Sequence, residues 1–182
     1  CIVRPVWKSG MIFLGPGSPT CTVRQLNGSL WWDLIRARHL LGASLVFASA
    51  ASIAVGKYCL PVYEIYKAGH EIHWQAGLDL FAPWGLSLII IPHWNNTDGG
   101  EELDTSCCFM GASMFEQLLS LLSDQCVILG IDEHTGVVFD FDRELIDVVG
   151  KGSVHVRGQF GTRTYQKGDR ILFYDLGGFH RI

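Results

Sequence analysis

A serine, a histidine and a glutamate occupy comparable places in this chain, each just past a short apolar run. Ser49 follows Leu45-Val46-Phe47 and opens the small-residue run Ala50-Ala51-Ser52-Ile53-Ala54. His93 follows the apolar residues 86–91 through Pro92, and Glu133 follows Val127–Ile131 through Asp132. The three types are chemically complementary. A serine hydroxyl becomes a nucleophile when a base takes its proton, and an imidazole base needs a carboxylate to hold its tautomer. Small residues around the serine suit the same task, because a sharp strand-to-helix turn leaves the hydroxyl exposed only if its neighbours are small. Such a turn also points the unpartnered N–H groups of the first helical turn at the reacting centre. The N–H groups of Gly17 and Ala50 are the candidate oxyanion hole; Pro16, between Gly15 and Gly17, has no N–H to donate. Glu64, fifteen residues after Ser49, is a second candidate for the orienting acid.

These residues need elements to hold them. Met11–Leu14 reads as a buried strand entering the tight loop Gly15-Pro16-Gly17-Ser18-Pro19. Leu26, Leu30, Leu34 and Ile35 recur at helical spacing up to His39, with Gly42 as the stop and Asn27-Gly28 weakening the first half. Residues 45–47 form the next strand. Residues 57–84 show little periodicity but many aromatics, and read as a structured excursion that covers or lines a site. The largely apolar stretch 86–91, unbroken from Leu88 to Ile91, is the pattern of a strand buried on both faces. A polar loop then leads to an amphipathic helix near 113–123, and Val127–Ile131 is the next strand. From Gly136 onward, short alternating segments at 137–141, 153–157 and 171–174, separated by glycines, suggest a small antiparallel extension. The expected fold is one α/β domain over 1–182: an open, mostly parallel three-layer sheet with a β-rich extension over 136–182. Ligands in such sheets bind at the carboxyl ends of the strands, which is where Gly17, Ser49, His93 and Glu133 fall.

Composition narrows the function classes. The chain has 182 residues, 48% of them hydrophobic and 18% charged, and a net charge of −4. With a mean hydropathy of +0.24 it has ample apolar material for a core. The acidic balance and the lack of a dense Lys/Arg patch argue against nucleic acid. No apolar run approaches the length of a bilayer span, so no membrane association is expected. The six cysteines show no metal-like spacing, and several sit in apolar stretches as small hydrophobes, which favours a reducing, cytoplasmic setting. Two matches to glycosylation sequons, Asn27-Gly28-Ser29 and Asn95-Asn96-Thr97, read as chance. His70, His73 and His134 lack zincin spacing and read as solvated loop residues, so no metal is expected. The neighbouring Cys107 and Cys108 read as packing residues.

The motifs also carry a family resemblance. Gly15-Pro16-Gly17-Ser18-Pro19, Ser49-Ala50-Ala51, Leu60-Pro61-Val62-Tyr63-Glu64-Ile65-Tyr66-Lys67, Gly77-Leu78, Pro92-His93 and Gly130-Ile131-Asp132-Glu133-His134-Thr135 occur in one order. Together, over roughly residues 11–160, they resemble the cyanophycinase and dipeptidase E group of serine peptidases. The resemblance implies a class I glutamine amidotransferase-like fold, a serine nucleophile, and hydrolysis of a dipeptide-like or isopeptide amide bond without a cofactor. A small peptide-like substrate is the implied partner, and a homodimer is an open expectation. The cyanophycinase-like pattern places the acid at Glu133; the dipeptidase-like spacing places it at Glu64.

The chain departs from the family pattern in three places. The elbow reads Ser49-Ala50-Ala51-Ser52 where the family has Ser-Ala-Gly-Ala. Ile91-Pro92 stands where cyanophycinases carry Asp-Gln. Only residues 2–7 are available to match the strand and helix that the family has before its counterpart of Met11–Leu14, so these are expected to be missing from this chain. The altered elbow keeps a second class open, a catalytically inactive relative acting as a binding module. A third class, the ammonia-producing amidotransferases, relies on a cysteine where Ser49 stands.

Overall fold

The computed structural model describes residues 4–122, 125–158 and 161–181. In chain order the elements are α1 (Arg4–Lys8), β1 (Met11–Leu14), α2 (Pro19–Leu26), α3 (Leu30–Leu40), β2 (Ser44–Phe47), α4 (Ala50–Ala54), β3 (Tyr58–Cys59), α5 (Val62–Tyr66) and β4 (Gln75–Ala76). They continue with β5 (Leu88–Ile91), α6 (Gly111–Ser120), β6 (Val127–Ile131), β7 (Thr135–Asp140), β8 (Leu145–Gly150), β9 (Val154–Gly158), β10 (Gly161–Tyr165) and β11 (Arg170–Leu172). Short 3-10 turns lie at Ala82–Trp84 and Phe173–Leu176.

The helical segment after β1 is two helices, not one. Ser18 caps α2, its hydroxyl accepting the Cys21 N–H at 3.2 Å, and Pro19 sits in the first turn, where its missing N–H costs nothing. Ser29 caps α3 in the same way, through Trp32 N–H at 3.2 Å. Between them Gly28 takes φ +66°, which breaks the helical path. Two serine caps and one glycine therefore override the continuous apolar spacing from Leu26 to Ile35.

The sheet is mixed. β1 runs parallel to β2, and β5 runs parallel to β6, with Leu88 opposite Val127 and Ile91 opposite Gly130. β9 adds antiparallel to β6, and β10 to β9, so part of the C-terminal β-rich region extends the central sheet directly. The rest forms a three-stranded antiparallel sheet, β11-β8-β7. β8 and β10 have no counterpart in the sequence reading. Asp147 interrupts the alternation of β8, and β10 is a polar edge strand, Gly-Thr-Arg-Thr-Tyr, exposed along most of its length.

Every residue of β5 is buried, as the unbroken apolar run required. Around it pack Ile53 of α4, Phe115 and Leu118 of α6, and Leu129 of β6, and the same cluster continues into Ile146, Ile171 and Phe173. β1 and β2 differ: their residues alternate between exposed and half-buried. No helix among the described residues is long and apolar enough to cross a membrane.

Candidate active site

The turn after β2 has the geometry that its small residues suggested. Ala48 N–H bonds to Leu14 O at 3.0 Å, which sets the end of β2 beside the Gly15-Pro16-Gly17 loop. Ser49 then takes φ 52° and ψ −112°, a region that L-residues rarely enter, and α4 starts at Ala50. Ser49 stands at the helix cap position, yet its hydroxyl makes no capping bond. Ala50 and Ala51 are almost fully buried against the rest of the fold. The strain of the turn is confined to Ser49; Ala51, the third residue of the elbow, lies in ordinary helix.

The freed hydroxyl meets His93. Ser49 Oγ lies 2.9 Å from His93 Nε2, and His93 Nδ1 lies 3.1 Å from Glu133 Oε1. Glu133 Oε1 also accepts a bond from Asn96 Nδ2 at 2.9 Å, and Glu133 N–H donates to Asn95 Oδ1 at 2.8 Å. The bond from Asn96 first, and that from His93 second, hold the Glu133 carboxyl below its ordinary value of 4.5. An ionised Glu133 only accepts, so Nδ1 carries the imidazole proton and Nε2 is left to accept from the serine hydroxyl. His93 and Glu133 are each about one-third exposed, leaving the array open to an incoming molecule.

Beneath His93 lies an unusual piece of backbone. Cys107, Cys108 and Phe109 are consecutive left-handed residues, with φ of 51°, 60° and 70°. Each such residue costs about 1–2 kcal/mol, so neighbouring contacts must enforce the turn. Cys108 N–H bonds to His93 O at 3.1 Å, and Cys107 N–H to Trp94 O at 2.9 Å. The Asp104 carboxylate spans the turn, accepting from Ser106 N–H at 2.9 Å and Ala112 N–H at 2.8 Å. Bonds from Ser106 and from Ala112 draw its carboxyl below 3.8. Burial pushes the Cys107 thiol up to about 11 and the Cys108 thiol up to about 12, so neither is a thiolate near neutral pH.

Gly17, Ser49, Ala50, Tyr63, His93 and Phe109 line one shallow hollow of about 50 Å³. Both candidate oxyanion donors are thus beside the serine. Glu64 is directed elsewhere: its Oε1 accepts from Thr20 Oγ1 at 2.5 Å, and its Oε2 is buried with no hydrogen-bond partner among the described residues. Thr20 Oγ1 in turn meets Ser18 Oγ at 2.9 Å, so Glu64 braces the start of α2, behind Gly17. Of the two glutamates, Glu133 is the one bonded to His93. His73 Nδ1 bonds locally to Glu71 O at 2.9 Å, and no group of ligating side chains suited to a metal forms among the described residues. A larger cavity of about 310 Å³ opens at the opposite end of β6, by Val127, Arg163 and Tyr165, and gathers none of the sequence candidates.

Asn95, Asn96, Thr20 and the turn at 107–109 were not singled out by sequence as parts of the site. For the asparagines a signal existed in their place, directly after His93 in the same loop. Thr20 and the turn had none.

Comparisons with protein-family models and with curated proteins return no match. Among solved structures, the chain is similar to a peptidase from an acI-B1 Actinobacterium, with a TM-score of 0.72 and 22% identity. That match covers 94% of this chain and 62% of the other. It is also similar to a candidate Peptidase E from Listeria monocytogenes EGD-e, with a TM-score of 0.51 and 14% identity, covering 91% of this chain and 63% of the other. The chain therefore has the mixed α/β fold of these structures over nearly all its length, while spanning less than two-thirds of either.

Proposed function

We propose that this chain carries the catalytic array of a serine hydrolase that cleaves a dipeptide-like or isopeptide amide bond, as in the cyanophycinase and dipeptidase E group that its motifs resemble. The observation carrying this reading is the continuous relay Ser49 Oγ, His93 Nε2, His93 Nδ1, Glu133 Oε1, at 2.9 and 3.1 Å. In the acylation step Ser49 Oγ bonds to the substrate carbonyl carbon while its proton passes to His93 Nε2. Glu133 stabilises the imidazolium that forms, without taking its proton. The carbonyl oxygen, now an oxyanion, lies against the N–H groups of Gly17 and Ala50. The amide C–N bond then breaks as His93 returns the proton to the leaving amine. Water, deprotonated by His93, hydrolyses the acyl-serine. The peptidase structures that share the fold support the reaction class.

A fluorophosphonate probe tests the reading without knowledge of the substrate. The wild-type chain should be labelled at Ser49, and Ser49→Ala should abolish labelling, since it removes the attacking atom and little else. Labelling of another serine, or none in a folded chain, overturns the proposal. It would favour the second reading, a non-catalytic binding module, for which the small volume of the hollow argues.

A further inference from the structure

The loop after His93 carries two asparagines, and both end on Glu133. Asn95 fixes the glutamate's backbone, whereas Asn96 reaches the same carboxylate oxygen that faces His93. Asn96 is only 3% exposed, and a buried carboxamide is costly unless its bonds are made. Its own place is determined on several sides. Asn96 Oδ1 accepts Asp98 N–H at 3.1 Å, Asn96 N–H bonds to His93 O at 3.3 Å, and Asn96 O accepts from Thr105 Oγ1 at 3.4 Å. The bond from Asp98 identifies the oxygen end of the amide, so the NH₂ end must face Glu133. Thr105 is itself buried, and its hydroxyl accepts Gly99 N–H at 3.1 Å, tying the donor into the loop. Glu133, by contrast, is one-third exposed and has rotamer freedom to lose.

We propose that Asn96 is a positioning residue of the Ser49–His93 site. It holds the Glu133 carboxylate in line with His93 Nδ1, and through Glu133 it fixes the imidazole tautomer that leaves Nε2 free for the Ser49 proton. The inference rests on the hydrolase reading above. One loop then supplies both the base and the group that aligns its acid, so the two move together.

The test is the pH profile of fluorophosphonate labelling for the 182-residue wild-type chain, Asn96→Ala and Asn96→Asp, with thermal unfolding followed in parallel. Asn96→Ala should slow labelling at neutral pH by roughly ten- to a hundredfold, the range for losing a hydrogen bond to a charged group. Asn96→Asp keeps the size and the acceptor for Asp98 N–H, and donates only while protonated. Its labelling should fall as pH rises through ionisation of the new carboxyl, a descending limb that wild type and Asn96→Ala lack. A labelled wild type, with both variants within about twofold of it at every pH, overturns this inference alone. So does a uniform, pH-independent loss that tracks a lower thermal transition, which would mark Asn96 as scaffold. An unlabelled wild type overturns the hydrolase reading, and this inference with it.

Discussion

Two parallel strand pairs deliver the candidate site, and they are packed very differently. β5 and β6 are held between layers; each of the four residues of β5 is buried. β1 and β2 pair over the same length, but Met11 is 64% and Phe13 60% exposed, and their register partners Ser44 and Val46 lie on the same open face. His93 and Glu133 come from the buried pair, whose loops are tied by Trp94 N–H to Ile131 O at 3.0 Å. Ser49 and Gly17 come from the half-bare pair. His93 and Glu133 are therefore fixed to each other by the core, while Ser49 and the Gly17 loop are joined to them through α4, which packs on β5. Precision in the relay is set by the weaker half.

The largest contrast that follows is between two glutamates, one in each half. Replacing an orienting carboxylate by its amide costs about 10⁴-fold in turnover in the serine-protease triad. Glu133→Gln should cost several orders of magnitude in labelling rate. Glu64→Gln, which alters only the brace on α2 through Thr20, should cost less than about tenfold. The reverse order would detach the acid from the buried pair and break the comparison.

Stability should divide along the same line. Ile89→Ala in β5 removes a fully buried side chain and should cost about 2–5 kcal/mol in chemical denaturation. Phe13→Ser in β1 removes an exposed one and should stay within about 0.5 kcal/mol. The open face of Met11, Phe13 and Val46 is also a contiguous apolar surface, so the chain alone should self-associate. Phe13→Lys should shift light scattering toward monomer. A wild-type chain that is monomeric with a sharp thermal transition, or a Phe13→Ser penalty matching that of Ile89→Ala, would show the two pairs to be equivalent in solution.

Acid should loosen the halves unequally as well. The Glu133 carboxyl is held below 4.5 in the folded chain, first by Asn96 and then by His93. A depressed folded value means that the ionised form's bonds are fully present above about pH 4.5 and are lost as pH falls through the folded value. β1 and β2 contain no ionisable side chain. The Asn96 side-chain amide resonance should titrate with a midpoint below 4.5, while the Ile12 and Leu45 amides within β1 and β2 stay put. A midpoint at or above the ordinary value would remove Asn96 as the donor.

How much of this was legible in the sequence follows from the same contrast. β5 and β6 announce themselves as unbroken apolar runs, so the positions of His93 and Glu133 at their ends could be read directly. Ser49 was legible because its neighbours are all small. What stayed hidden depends on tertiary contacts that no local pattern records. The left-handed turn at Cys107, Cys108 and Phe109 contains no glycine at those three positions; Asp104 and the carbonyl of His93 impose it. Asn96 looked like part of a sequon because nothing nearby in sequence shows that Glu133 is its partner. The β10 edge strand carries too few apolar residues to alternate.

The smallest expected effect concerns the strain at the junction of the two halves. Ser49 holds φ 52° and ψ −112° where a Cβ is disfavoured, at a cost of order 1–3 kcal/mol. Ser49→Ala keeps that Cβ, and Ser49→Gly removes it; both delete the hydroxyl, so their difference isolates the backbone. Glycine also loses more conformational entropy on folding, which offsets part of the relief by about 0.5–1 kcal/mol. Ser49→Gly should therefore be the more stable of the two by about 1 kcal/mol, or roughly 2–4 °C in Tm for a chain of this size. Were the alanine variant equally stable, the weaker pair would be relaxing around Ser49 instead of holding it, and the turn would owe its shape to contact with His93.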